Sequence, residues 1–223
     1  MRKVLSVNIG QPRPSEHTYV GVTGIDKQPV DAPIEVRAPG PKHGGLGSGL
    51  IGDAVCDRKN HGGDDQAVYA YAREDLDDWA GKLGRTLGNG CFGENLTTIG
   101  VDVTRAHIGE RWRIGDTVVL EVACPRIPCR TFAGWLGDVG WVKTFTRAAR
   151  PGAYLRVIEP GSIRTGDPVT VVSRPDHDVT LEVVFRALTL EPELLPRLLA
   201  ADALGQEAKD QARRRVPMKL DEE

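Results

Sequence analysis

The chain has 223 residues and a formal net charge of −2, with 40% hydrophobic and 27% charged residues. That length suits one domain of about 170 residues with a small appendage, large enough to bury roughly 70% of its unfolded surface without a disulfide or metal staple. The near-neutral charge balance argues against a general nucleic-acid partner, and no apolar stretch approaches the ~18 residues of a membrane span.

The amino terminus, Met1-Arg2-Lys3-Val4-Leu5-Ser6-Val7-Asn8, lacks the apolar region and the small-residue cleavage site of a signal peptide. Four scattered cysteines, Cys56, Cys91, Cys124 and Cys129, are too few for a disulfide scaffold. A cytoplasmic protein with free thiols is expected.

Short apolar runs bounded by glycine and proline predict strands at 3–9, 20–23, 34–36, 117–123, 154–158 and 169–172. Gly52-Asp53, Gly109-Glu110, Gly115-Asp116 and Gly166-Asp167 each follow a small or apolar residue and predict connecting turns. Helices are predicted at 72–83, where Leu76, Trp79 and Leu83 form one stripe, and at 131–136 and 141–148. The body therefore reads as mainly β with helices, an α+β class built on a mostly antiparallel, barrel-like sheet. After residue 173 glycine nearly vanishes, and segments 179–188, 191–201 and 207–216 read as three short helices. The expected division is a sheet domain at 1–173 and a small three-helix carboxy-terminal domain at 174–223, with a frayed end from Met218 onward.

Gly47-Ser48-Gly49-Leu50-Ile51-Gly52 matches G-x-G-x-x-G but lacks the flanking strand and helix of a dinucleotide site, so a mobile loop or lid is expected. In Asn60-His61-Gly62-Gly63-Asp64-Asp65 the glycines would let backbone N–H groups converge on an anion, or simply make a tight turn. Cys91-Phe92-Gly93-Glu94-Asn95-Leu96 reads as a strand-entry turn. Lys27, Arg37, Lys42, Arg58 and Lys59 form a loose basic group, one or two of which would bind phosphate.

The densest chemistry lies in Cys124-Pro125-Arg126-Ile127-Pro128-Cys129-Arg130. Two prolines end the preceding strand and leave Cys129 in a stiff turn between arginines, which favour the thiolate. A zinc site would need a second ligand pair, and His43, His61 and His107 are not spaced to supply one. Cys124 reads as a buried strand residue.

Lys27-Gln28-Pro29-Val30, Gly52-Asp53, His61-Gly62-Gly63-Asp64, Phe92-Gly93-Glu94-Asn95-Leu96 and the Cys124–Cys129 turn, in that order, resemble the MOSC domain family. The family takes its name from the carboxy-terminal part of molybdenum-cofactor sulfurase. The likeness covers nearly the whole chain and is closest to bacterial members with a trihelical tail. It implies a β-barrel that binds molybdenum cofactor, a molybdenum ion held by a pyranopterin with a phosphate, and an enzyme reducing small N-hydroxylated compounds.

By the same resemblance Cys129 is the metal ligand and catalytic residue. Lys27, Arg37 and Arg126 are candidates for the pterin phosphate, and His61, Gly62, Gly63, Asp64, Glu94 and Asn95 for the pocket. The chain has no plant-type Cys-x4-Cys-x2-Cys run, so electrons are expected from a separate electron-transfer protein. The alternative is a sulfur or cofactor carrier acting through Cys129, and a third reading makes the tail a docking surface.

Overall fold

The structure is a computed structural model that describes residues 1–215 and 217–220. Its strands are β1 (Lys3–Gly10), β2 (Arg13–Pro14), β3 (Val22–Thr23), β4 (Lys27–Val30), β5 (Ile34–Val36), β6 (Val68–Ala72), β7 (Leu96–Ile99), β8 (Arg111–Ile114), β9 (Val118–Pro125), β10 (Ala153–Glu159), β11 (Gly161–Ile163) and β12 (Val169–Ser173). Eight of these form one sheet in the order β12-β8-β9-β10-β6-β7-β1-β4, and β2–β3 and β5–β11 make two small pairs. The large sheet is antiparallel except for β6 and β7, which run parallel with Ala70 opposite Leu96. The intervening α1 (Arg73–Leu83) is the crossover that a parallel pair requires.

The sheet curls until the start of β1 approaches the start of β12. The Val4 N–H donates to the Asp167 carbonyl at 2.9 Å and the Val169 N–H to the Arg2 carbonyl at 3.0 Å, around a single bridge between Lys3 and Pro168. No continuous ladder joins those two strands among the described residues, so the sheet is open and the expected barrel is not closed.

Strands β4, β6 and β8 and the short β2 and β11 had no counterpart among the predicted runs, whereas β7 starts at Leu96, where the strand-entry turn was expected to lead into a strand. Lys27–Val30 is polar on one side and contains a proline, which is tolerated because β4 is the sheet edge and pairs only with β1. In β6 all five residues are buried, so no alternation marks the strand.

Helices α2 (Arg130–Leu136) and α3 (Trp141–Ala148) pack with α1 around an aromatic cluster. Phe92 is fully buried at its centre, with ring centroids at 5.1 Å to Tyr71, 5.0 Å to Phe132 and 5.6 Å to Trp141. Such pairs contribute about 0.5–1.5 kcal/mol each beyond burial, which fixes α2 against the turn that carries Phe92.

The tail comprises α4 (Leu181–Thr189), a 3-10 segment at Pro192–Ala200 and α5 (Gln206–Arg214). The middle segment differs from the predicted α-helix because Pro196 lies inside it, where it lacks the donor for an i→i−4 bond. Leu181, Val184, Leu195 and Leu198 share one buried cluster with Ile108, Leu120 and Val122 of the sheet side. Met218 is not frayed: its N–H donates to the Leu188 carbonyl at 2.8 Å. Val216, the expected end of the last helix, and residues 221–223 of the expected frayed end lie outside the described residues.

A candidate active site at the start of helix α2

β9 runs two residues into the proline-rich turn, to Pro125, and Cys129 then becomes the N-cap residue of α2. Its carbonyl accepts from the Ala133 N–H at 3.0 Å, while Phe132 and Leu136 bury the other face of the helix. The thiol is therefore held by backbone that packing has already fixed. Burial alone would raise its pKa. A hydrogen bond from the His61 side chain and the charge of Arg126 outweigh that, with a further bond from the Phe132 backbone, and bring Cys129 down to about 7.

Arg126 is buried, donates to the Phe92 carbonyl, and stacks 3.9 Å from the Phe132 ring centroid and 5.2 Å from that of Tyr69. Arg130 was expected to act beside it. Its guanidinium instead lies 6.0 Å from the Tyr19 ring, and His61, 68 positions earlier in the chain, takes that role. Cys124 sits in β9 as a strand residue, and its half-buried thiol donates to the Asp65 carbonyl at 3.6 Å. Burial pushes that thiol up to about 12, so of the two cysteines of one turn only Cys129 is substantially ionised at neutral pH.

Two cavities meet at Cys129. The outer cleft, about 610 Å³, runs between the His61–Gln66 turn, the Pro125–Thr131 turn and the tail residues Leu188, Gly205, Glu207 and Met218. The inner pocket, about 110 Å³, is bordered by Lys27, Asp53, Cys56, Tyr69, Asn95 and Arg126. Cys129, His61, Gly62, Thr131 and Tyr154 border both.

The expected site residues divide into three groups. Lys27, His61, Gly62, Asn95 and Arg126 gather with Cys129 around the inner pocket, and Gly63 and Asp64 border the outer cleft. Glu94 and Arg37 border neither. Glu94 is fully buried behind the pocket, accepting from the Phe92 N–H at 3.0 Å and the Thr97 hydroxyl at 2.8 Å, and it braces the 90–97 turn. Arg37 donates to the Ser48 carbonyl at 3.2 Å.

Two expectations change character. Lys27 is not held open for a phosphate: it forms a buried ion pair with Asp53. The His-Gly-Gly-Asp stretch is a tight turn rather than an anion nest, because its N–H groups are already used. The Gly62 N–H donates to Gln66 Oε1 at 3.0 Å, that of Gly63 to the Gly47 carbonyl at 3.0 Å, and that of Asp64 to the Gly40 carbonyl at 2.9 Å. The glycine-rich stretch read as a mobile loop or lid is tied down too, with the Gly49 N–H on the Ala67 carbonyl at 2.7 Å and Leu46 on Pro39 at 2.7 Å.

Asp53 was read as a turn residue and as part of the family pattern, but not as a residue of the site. Its side chain is 1% exposed, and it accepts from the Gly10 N–H at 2.8 Å, the Ser48 hydroxyl at 2.7 Å and Asn95 Nδ2 at 3.0 Å, as well as from Lys27. Tyr69 and Tyr154 were missed as well. They come from β6 and β10, and only the pairing of those strands sets them side by side, with ring centroids 4.9 Å apart.

Comparison with known proteins agrees with this geometry. The family model described as MOSC domain matches residues 57–170, which span His61, Asn95, Arg126 and Cys129. The chain belongs to the MOSC domain family. YflK of Bacillus subtilis, a protein described as uncharacterized, is 32% identical over 184 residues, 82% of this chain and 79% of that one. A Gibberella moniliformis protein named Reductase is 30% identical over 156 residues, 69% of this chain but 26% of that longer protein. The crystal structure of YiiM from Geobacillus stearothermophilus superposes with a TM-score of 0.77 at 24% identity, covering 97% of this chain and all of that one, and thus shows the same α+β fold. Among the described residues no helix is long and apolar enough to cross a membrane.

Proposed function

We propose that this MOSC protein binds molybdenum cofactor and reduces small N-hydroxylated compounds, with Cys129 as the metal ligand and electrons delivered by a separate carrier protein. The observation that carries the reading is the Cys129 thiol at the junction of two cavities, brought to a pKa of about 7 by His61 and Arg126 against the effect of burial.

The donor set suits the group. A thiolate is a soft ligand of the kind that a sulfur-rich metal cofactor accepts, and a cleft of about 610 Å³ lies within the range of small-molecule sites. When bound, the cofactor would supply a two-electron metal centre capable of oxygen-atom chemistry.

The chain's own residues set the conditions for that chemistry. Arg126 and His61 favour the Cys129 thiolate, and the cap position at the start of α2 fixes the backbone that carries it. Tyr154 borders both cavities, and burial pushes its phenol up to about 12, so it stays a hydrogen-bond donor. The Lys27–Asp53–Asn95 network holds the inner wall in one shape.

The test is metal and pterin content of protein purified anaerobically from a cofactor-competent host, wild type beside Cys129→Ser. Stoichiometric molybdenum and pterin in wild type, with molybdenum lost from the variant, is the expected result. Equal content in both, or none in either, would refute the assignment.

A further inference from the structure

The trihelical tail and the glycine-rich stretch, far apart in sequence, face each other across the outer cleft. Lys42 projects from one wall and Glu207 from the other, with Nζ 3.7 Å from Oε2. We propose that Lys42 is an anion-binding residue of this cleft, held in reserve by Glu207 until an entering phosphate or carboxylate group displaces that glutamate.

The backbone beneath Lys42 is built to present it. A Cβ on Gly63 would lie 2.7 Å from both Lys42 N and Cα, so the glycine lets the turn bearing His61 press directly on the lysine's main chain. On the same turn, Asp64 Oδ1 accepts from the Gly40 N–H at 2.9 Å and the Asp64 N–H donates to the Gly40 carbonyl at 2.9 Å. The Gly45 N–H then closes onto the Pro41 carbonyl at 3.1 Å. Three glycines and an aspartate thus place the Lys42 ammonium in the cleft that Cys129 also borders.

The pair itself is loose. Glu207 is 67% and Lys42 31% exposed in the side chain, and 3.7 Å is beyond hydrogen-bond distance. An ion pair of that kind contributes little and exchanges readily. The other carboxylates of the cleft are engaged elsewhere: Asp65 with Arg156 at 2.6 Å, Asp64 with Gly40, and Asp57 with Asn60 at 2.8 Å. Glu207 lies in the first turn of α5, where the helix dipole favours a negative charge. An ammonium offers three charge-assisted donors to a phosphate or carboxylate oxygen.

The anion would be either the phosphate of the cofactor or an ionised group of the substrate. Anion binding stands apart from the molybdenum reading, whereas the choice between these two sources rests on it.

Pyrophosphate titrated calorimetrically into the full-length protein tests the proposal without metal. Glu207→Gln should tighten binding about two- to fivefold by removing the competitor, and Lys42→Ala should weaken it roughly tenfold or more by removing a charge-assisted bond. In the double variant the effect of Glu207 should vanish. Unaltered thermal unfolding of each variant confirms that only the cleft has changed. Wild-type affinity in Lys42→Ala, a Glu207 effect that persists without Lys42, or no binding by wild type and Glu207→Gln alike would overturn the proposal. In protein from a cofactor-competent host, pterin lost from Lys42→Ala assigns the anion to the cofactor. Pterin retained with a raised KM for anionic but not neutral N-hydroxylated substrates assigns it to the substrate, and pterin retained with both KM values unchanged overturns the role.

Discussion

Replacing His61 by leucine should release Cys129 from its low pKa, and the size of the effect follows from the site. The Cys129 thiol stands at about 7 against an ordinary 9.0, so at pH 7 about half of it is thiolate, compared with on the order of 1% for an unperturbed thiol. His61 supplies the leading bond that opposes burial, and Arg126 supplies the charge. With His61 gone, burial regains ground and the midpoint should rise by one unit or more. The rate of alkylation by iodoacetamide as a function of pH, measured on cofactor-free protein, reads that midpoint directly. The rate at pH 7 should fall only several-fold, because a thiolate of higher pKa is intrinsically more nucleophilic by roughly tenfold per two units. The midpoint is therefore the decisive quantity. A His61→Leu profile that overlays the wild-type curve would show that Arg126 and the helix cap suffice and that His61 has another task.

Three further outcomes are expected. Lys27→Met leaves Asp53 buried without its cation, which should cost about 3–5 kcal/mol in urea unfolding; a loss below 1 kcal/mol would return Lys27 to the pool of free phosphate ligands. Glu94→Ala strips buried N–H groups at Gly90 and Phe92 of their acceptor and should cost about 3 kcal/mol. Because burial raises the Glu94 pKa, its contribution is fully present below the unfolded carboxyl value of about 4.3 and diminishes as pH rises through the folded one. The destabilisation measured by calorimetry should accordingly be larger at acid than at neutral pH. Gly63→Ala adds a Cβ at φ 83 that meets Lys42 backbone at 2.7 Å, and should both lower the thermal midpoint and reduce pyrophosphate affinity; an unchanged protein would show that the 39–64 region can shift freely.

Several elements were readable from local signals. Strand β9, helix α1 and helix α3 follow from apolar runs and a 3.6-residue stripe. The four glycines of the predicted connecting turns all adopt positive φ, from 60 at Gly115 to 95 at Gly166, as a residue without Cβ allows. Cys129 could be singled out because two prolines and two arginines occur within six residues of it. Strand β6 was not readable, since complete burial erases alternation, nor was β4, whose proline is tolerated only at a sheet edge.

The sequence by itself determined that a thiol would stand in a rigid turn at the end of a strand, because proline restricts its own backbone and arginine carries its charge wherever it lies. Only the tertiary structure decided what tunes that thiol. His61 reaches Cys129 from a different turn, Asp53 holds Lys27 across 26 positions, and Glu207 meets Lys42 across the cleft. Hydrogen bonds and ion pairs act over a few ångströms of space and carry no trace of separation along the chain. A site assembled from segments scattered along the chain therefore becomes visible only when the sheet has curled and the tail has packed against it.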